Sequence, residues 1–214
     1  MRHAMKSSDY SREESYNEFL RLSKSEDYSE IAYDEESGGV SAVHRLHKFD
    51  KQMGAGALRR GDYERIVLDI VREHGHRIIL EAETNTPGIK SHDGFLDDVP
   101  MEIKAIEGAG VWSICTKLRH AEKQHAKCVV LYFPEVDLFS EERILDGIRK
   151  YATYPGSQQS VVRLLAVSKD GVLGSWDKKA TPDEGWSIWE GFRKENGAGS
   201  YTLSPSDANI ERID

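Results

Sequence analysis

The segment Ser91-His92-Asp93-Gly94-Phe95-Leu96-Asp97-Asp98-Val99-Pro100-Met101-Glu102-Ile103-Lys104 constrains this chain most, because folding it as a β-hairpin brings two carboxylates and a lysine together. Asp tolerates the backbone angles of a two-residue hairpin turn, so Asp97-Asp98 marks the tip. Pairing outward sets Leu96 against Val99, Phe95 against Pro100, Gly94 against Met101 and Asp93 against Glu102. That last pair falls at a non-hydrogen-bonded position, where Cα atoms are about 4.5 Å apart. Like charges that close repel unless a cation lies between them. The period of two then sets Glu102 and Lys104 on one face and Met101, Ile103 and Ala105 on the other.

Two carboxylates and a lysine on one face suit a divalent metal site. Asp93 and Glu102, with the Ile103 carbonyl, offer the few oxygen donors that Mg²⁺ or Mn²⁺ takes while keeping water for a reaction. Lys104 is placed to orient the attacking water or to stabilise charge on a phosphate. A surface hairpin of solvated charges is the plain alternative, since a carboxylate-x-Lys triplet also arises by chance, as in Asp177-Lys178-Lys179.

The flanking sequence adds weight. Residues 61–75 read as a helix ended by Gly75, with Tyr63, Ile66, Val67, Ile70 and Val71 as the apolar stripe and Glu64 beside it. Glu64 serves either the helix dipole or the edge of the acidic site. Residues 76–81 read as a strand, and 113–127 as a helix with Ile114, Leu118, Ala121 and His125 inward. The other face of that helix carries Lys117, His120, Gln124 and Lys127, with Arg119 and Lys123 nearby, a pattern suited to phosphate contacts. Cys128 to Phe133 reads as a strand buried on both faces.

This order resembles the PD-(D/E)XK nuclease superfamily. Asp93 matches its first acidic residue, Glu102-Ile103-Lys104 its (D/E)-x-K element and Glu64 its helix glutamate; His92 stands where a proline often precedes the first acid. The resemblance covers about residues 61–133. It implies an α/β, restriction-endonuclease-like core, a mixed β-sheet flanked by helices. It also implies metal-dependent hydrolysis of phosphodiester bonds, with Asp93, Glu102, Lys104 and Glu64 as catalytic residues. The Asp-Gly and Glu-Ile-Lys wording followed by a basic helix is similar to the C-terminal nuclease domains of contact-dependent growth-inhibition toxins, many of which cleave transfer RNA. Related domains occur in prophage and mobile-element proteins. That likeness implies an RNA substrate, tRNA above all, and a cognate immunity or inhibitor protein as partner. The rival readings are a DNA endonuclease of restriction or repair type and a non-catalytic phage morphogenesis module.

A formal charge of −8 is unusual for a nucleic-acid binder, so local charge matters more than the total. Residues 1–36 hold five basic and ten acidic residues, whereas residues 37–60 hold five basic and one acidic. The stretch 43–51 can therefore contact RNA or pair with the acidic lead. Residues 1–40 read as a polar, mobile or helical extension, 41–195 as the nuclease domain with a C-terminal sheet extension over 140–195, and 196–214 as an irregular tail. Within that extension, 140–151 reads as an amphipathic helix, and 161–168 with 172–176 as a hairpin turning at Asp170-Gly171. Trp176, Trp186, Trp189 and Phe192 read as a small satellite core.

No apolar run has signal-peptide or membrane-span length, which points to a cytoplasmic site of action with export, if any, by another route. Cys115 and Cys128 read as buried, reduced thiols. His44-x-x-His47 lacks further ligands at zinc spacing. His92 or His120 as the base of a metal-independent ribonuclease is a further alternative.

Overall fold

The computed structural model describes residues 10–49, 60–82, 92–180, 187–195 and 198–202, with backbone alone at 60–62, 179–180, 187–195 and 198–202. The protein is α/β, with mixed β-sheet flanked by helices. It divides into two compact units, Met1–Met101 and Glu102–Asp214.

The first unit opens with α1 (Arg12–Ser23). Ser11 and Glu14 start it with a reciprocal capping box, each side chain accepting from the other's backbone N–H. Strands β1 (Tyr28–Tyr33) and β2 (Val40–His44) pair antiparallel. Helix α2 (Arg60–Glu73) follows, and then β3 (Arg77–Leu80), which runs parallel to β2. The segment expected as a polar extension thus holds a helix and an edge strand. Its packing is aromatic: Tyr16, Phe19 and Tyr33 lie with ring centroids 5.3–6.0 Å apart, and Leu22 is fully buried with Val40, Ala42 and Ile79. The shortage of aliphatic side chains in that segment conceals this core.

Helix α2 ends as its glycine predicts. Gly75 has φ +86° and donates its N–H to the Arg72 carbonyl. Tyr63, Val67, Ile70 and Val71 are buried as the periodicity requires, joined by Leu68, while Ile66 is only partly covered.

The hairpin comes next. Strand β4 (Gly94–Leu96) pairs antiparallel with β3 on one side and on the other with β5 (Val99–Ala105), a strand that leads into the second unit. The register is the expected one: Leu96 with Val99, Phe95 with Pro100 and Gly94 with Met101. Asp97 and Asp98 both take positive φ, 48° and 63°, as a type I′ turn demands. Gly94 is required for a separate reason, because a Cβ there would lie 2.0 Å from the Ile79 carbonyl oxygen.

In the second unit α3 (Ser113–Glu122) precedes β6 (Cys128–Phe133), all six residues of which are buried. Helix α4 (Glu141–Ala152) carries the chain to β7 (Arg163–Ser168), which lies parallel to β6. Such a pair needs a crossover, and α4 supplies it. Ser140 caps α4 by accepting from the Arg143 N–H. Strand β8 (Leu173–Ala180) pairs antiparallel with β7, and β9 (Ser187–Glu195) and β10 (Ala198–Thr202) continue that antiparallel run. The core gathers Ile114, Leu118, Val129, Leu131, Ile144, Ile148, Leu164 and Trp176.

Four expectations for this unit are corrected. Helix α3 stops at Glu122 rather than reaching Lys127, because His125 turns left-handed at φ +62° and the Ala126 N–H returns to the Ala121 carbonyl. His125 is exposed rather than inward. Trp176 belongs to the main core, not to a satellite; Trp189 and Phe192 lie in β9, and Trp186 falls outside the described residues. The tail also contains a strand, β10, whose Ser-Tyr-Thr stretch favours extended backbone. Cys115 and Cys128 are buried free thiols, as expected. Among the described residues no helix is long and apolar enough to cross a membrane.

Candidate functional site

In the first unit the acidic residues organise around a histidine. His47 follows β2 and presents both ring nitrogens to acceptors: Nδ1 lies 2.8 Å from the Glu81 carbonyl oxygen, and Nε2 lies 2.9 Å from Glu64 Oε2. A carbonyl and a carboxylate only accept, so with Glu64 ionised both ring nitrogens carry protons and the ring is an imidazolium. Its side chain is 2% exposed and that of Glu64 is 11%. Burial pulls the His47 pKa down, but the Glu64 hydrogen bond, the Glu81 carbonyl and the charges of Glu64 and Asp93 outweigh it and raise the pKa above 6.5. Glu81 is the hub. Its N–H donates to the Asp93 carbonyl and its carboxylate accepts from the Tyr28 hydroxyl at 2.6 Å, which holds the start of the hairpin to the end of β3.

His44 takes no part in this cluster; its Nδ1 accepts from the Leu46 N–H and its ring meets Tyr28 edge-on. The two histidines of His44-x-x-His47 therefore have separate partners. His92 packs edge-on against Phe95.

The acidic turn is neutralised from within the same unit. Asp97 is buried, accepting from the Arg77 N–H at 2.9 Å and bonding His76 Nδ1 at 2.7 Å. Asp98 accepts from the Arg77 guanidinium at 2.6 Å and from the Tyr10 hydroxyl, and the guanidinium lies 3.4 Å over the Tyr10 ring. Asp97 and Asp98 thus brace the hairpin tip rather than present free charge.

In the second unit Glu102 is 1% exposed and accepts a hydrogen bond from Lys104 Nζ, two residues further along β5. Burial of an ionised carboxylate is costly unless a cation and hydrogen bonds compensate it, and Lys104 supplies the cation. Lys104 and the basic residues of α3 lie within electrostatic reach of His120. Burial lowers the His120 pKa first, followed by the charges of Lys123, Lys117, Lys104 and Arg119. Lys117 and His120 lie on the helix as expected, whereas Gln124 and Lys127 lie beyond its end and do not share its face.

The predicted residues therefore fall into two groups: Glu64 and Asp93 around His47, and Glu102 with Lys104 beside the basic residues of α3. The ladder pairs Gly94 with Met101, the neighbours of Asp93 and Glu102. Sequence reasoning missed the role of His47, which no spacing reveals because its partners stand 17 and 34 residues away. Among the described residues no three His, Cys, Asp or Glu side chains form a group able to hold a metal ion. The chain matches no family model, no curated protein and no solved structure.

Proposed function

We propose that the protein is a metal-dependent endonuclease that hydrolyses RNA, with tRNA as the favoured substrate. The observation that carries this reading is Glu102: a carboxylate almost wholly withdrawn from water, on a strand, bonded to the lysine two residues on. A structural role alone gives little reason to bury a charge that an apolar residue would replace without loss. The donor chemistry fits a hard cation, because Mg²⁺ takes one or two carboxylates from a protein and completes its shell with water and phosphate. Glu102 would help to hold it, and bound there it would supply Lewis acidity toward the phosphodiester and its attacking water.

The chain's own residues do the remaining work. Lys104 orients the Glu102 carboxylate and offers positive charge to the phosphate oxygens. His47 fixes Glu64 in one orientation and offsets its charge and that of Asp93. Lys117, His120, Arg119 and Lys123 attract the polyanion to a chain whose total charge is negative.

The test is incubation of the purified chain with total tRNA and with plasmid DNA, each with Mg²⁺ and with EDTA, alongside Glu102→Gln. RNA cleavage that needs Mg²⁺ and disappears in the variant is expected. Cleavage of DNA instead would make this a restriction-like enzyme. Cleavage by Glu102→Gln at the parent rate would remove the assigned active site.

A further inference from the structure

Within the second unit one aromatic side chain stands out of the surface on a braced support. Trp112 is 53% exposed and its neighbour Val111 is 64% exposed. The loop before it contains Gly108 and Gly110, yet Arg143 of α4 reaches back to it, donating to the Gly108 carbonyl, to Ser113 Oγ at 3.1 Å and to the Leu138 carbonyl at 3.0 Å. The Ser113 N–H closes a turn on the Gly110 carbonyl, and the Thr116 N–H holds the Trp112 carbonyl at 2.9 Å. The indole is thus presented by a scaffold rather than left on a loose loop.

Two cations lie beside it, of which Lys150 is also paired with Asp146. The Trp112 and Tyr154 rings meet edge-on with centroids 6.5 Å apart. Lys150 Nζ lies 5.5 Å from the Trp112 centroid, and the Arg119 guanidinium lies 3.6 Å over Tyr154. Arg119 also belongs to the positive cluster around His120. An exposed aromatic face beside guanidinium and ammonium groups is the combination that binds unpaired nucleotides, the base stacking and the cations taking phosphates. A protein interface would favour a wider apolar patch, whereas Arg119 and Lys150 give this one a charge complementary to a phosphate backbone.

We propose that Trp112 is a stacking platform for an unpaired base of the substrate RNA, with Arg119 and Lys150 contacting the adjoining phosphates. This inference rests on the nucleic-acid reading above and adds single-strandedness to the substrate. It implies that cleavage occurs in or beside a loop or an unpaired end.

The experiment measures binding of the full chain to a short unstructured oligoribonucleotide and to an RNA duplex, by fluorescence anisotropy in EDTA at several salt concentrations. Trp112→Ala is expected to weaken single-strand binding about tenfold, within the range of one lost base–aromatic stack, while Trp112→Phe retains most of the affinity and duplex binding changes little. Arg119→Gln and Lys150→Gln are expected to flatten the salt dependence. Parent-like binding by Trp112→Ala, or no binding by the parent, would overturn the proposal. So would self-association that covers Trp112, which would assign the patch to a protein contact. The two readings fail separately. Trp112-dependent binding without cleavage under any divalent metal removes the nuclease, and cleavage lost in Glu102→Gln with parent-like binding by Trp112→Ala removes the platform alone.

Discussion

Glu64 and Glu102 are both buried carboxylates bonded by a basic side chain, and they differ in which one it is. Glu64 meets an imidazolium that is itself fixed at both nitrogens, one on Glu64 and one on the Glu81 carbonyl. Glu102 meets the ammonium of Lys104, the side chain 20% exposed and the carboxylate beneath it 1%. A histidine can lose its charge near neutral pH, whereas lysine as a residue type stays charged throughout that range. The first pair is therefore a rigid brace with a pH limit. The second leaves its cation close to solvent, where a phosphate can meet it.

The largest expected effect comes from breaking the second pair. Lys104→Met takes the ammonium away from the buried Glu102 carboxylate and should cost about 3–5 kcal/mol in urea unfolding, with loss of cleavage. Adding Glu102→Gln to that variant should restore most of the stability and none of the activity. A loss below about 1 kcal/mol for Lys104→Met would mean that Glu102 does not depend on its lysine, and the two carboxylates would no longer be comparable.

The first pair should break in a pH-dependent way. The folded-state pKa of His47 is raised, so its contribution is complete below 6.5, the ordinary value, and is lost as pH rises through the raised value. The stability gap between the parent and His47→Leu should be about 3 kcal/mol near pH 6 and clearly smaller near pH 9. Equal gaps at both pH values would show that the ring is neutral and that its role is packing.

Glu122 provides a third and milder case, a carboxylate hydrogen-bonded by neutral donors. Burial raises its pKa, but the Ser160 N–H, the Tyr151 hydroxyl, the Gln158 N–H and the Ser157 hydroxyl outweigh that and lower it. Its contribution is present above 4.5 and is lost as pH falls through the lowered value. Glu122→Gln should cost about 1–2 kcal/mol at neutral pH and progressively less in acid, as thermal unfolding across pH would register.

These contrasts were unevenly legible beforehand. The hairpin and its register could be read because Asp97-Asp98 tolerates the angles of a two-residue turn and alternation does the rest. Helix α2 could be read because apolar spacing and Gly75 agree. The edge formed by α1 and β1 was hidden because Tyr16, Phe19 and Tyr33 pack as a group while each looks like a polar-segment aromatic in isolation. The end of α3 was hidden as well, since a left-handed histidine carries no local signature. The partners of the acidic turn, His76, Arg77 and Tyr10, were hidden too, since alternation does not show them.

Periodicity and turn chemistry are local, so the sequence by itself determined α2, the hairpin, the buried strand β6, α4 and the pair β7–β8. It also put Glu102 and Lys104 two residues apart on β5, where they meet. Electrostatic partnership is not local, and only the tertiary structure decided it. Tertiary folding joined His47 to Glu64 and to the Glu81 carbonyl, set Arg143 under the Trp112 loop and laid Arg119 on Tyr154. A buried charge must find its counter-charge wherever the chain brings one, and sequence separation does not limit that search.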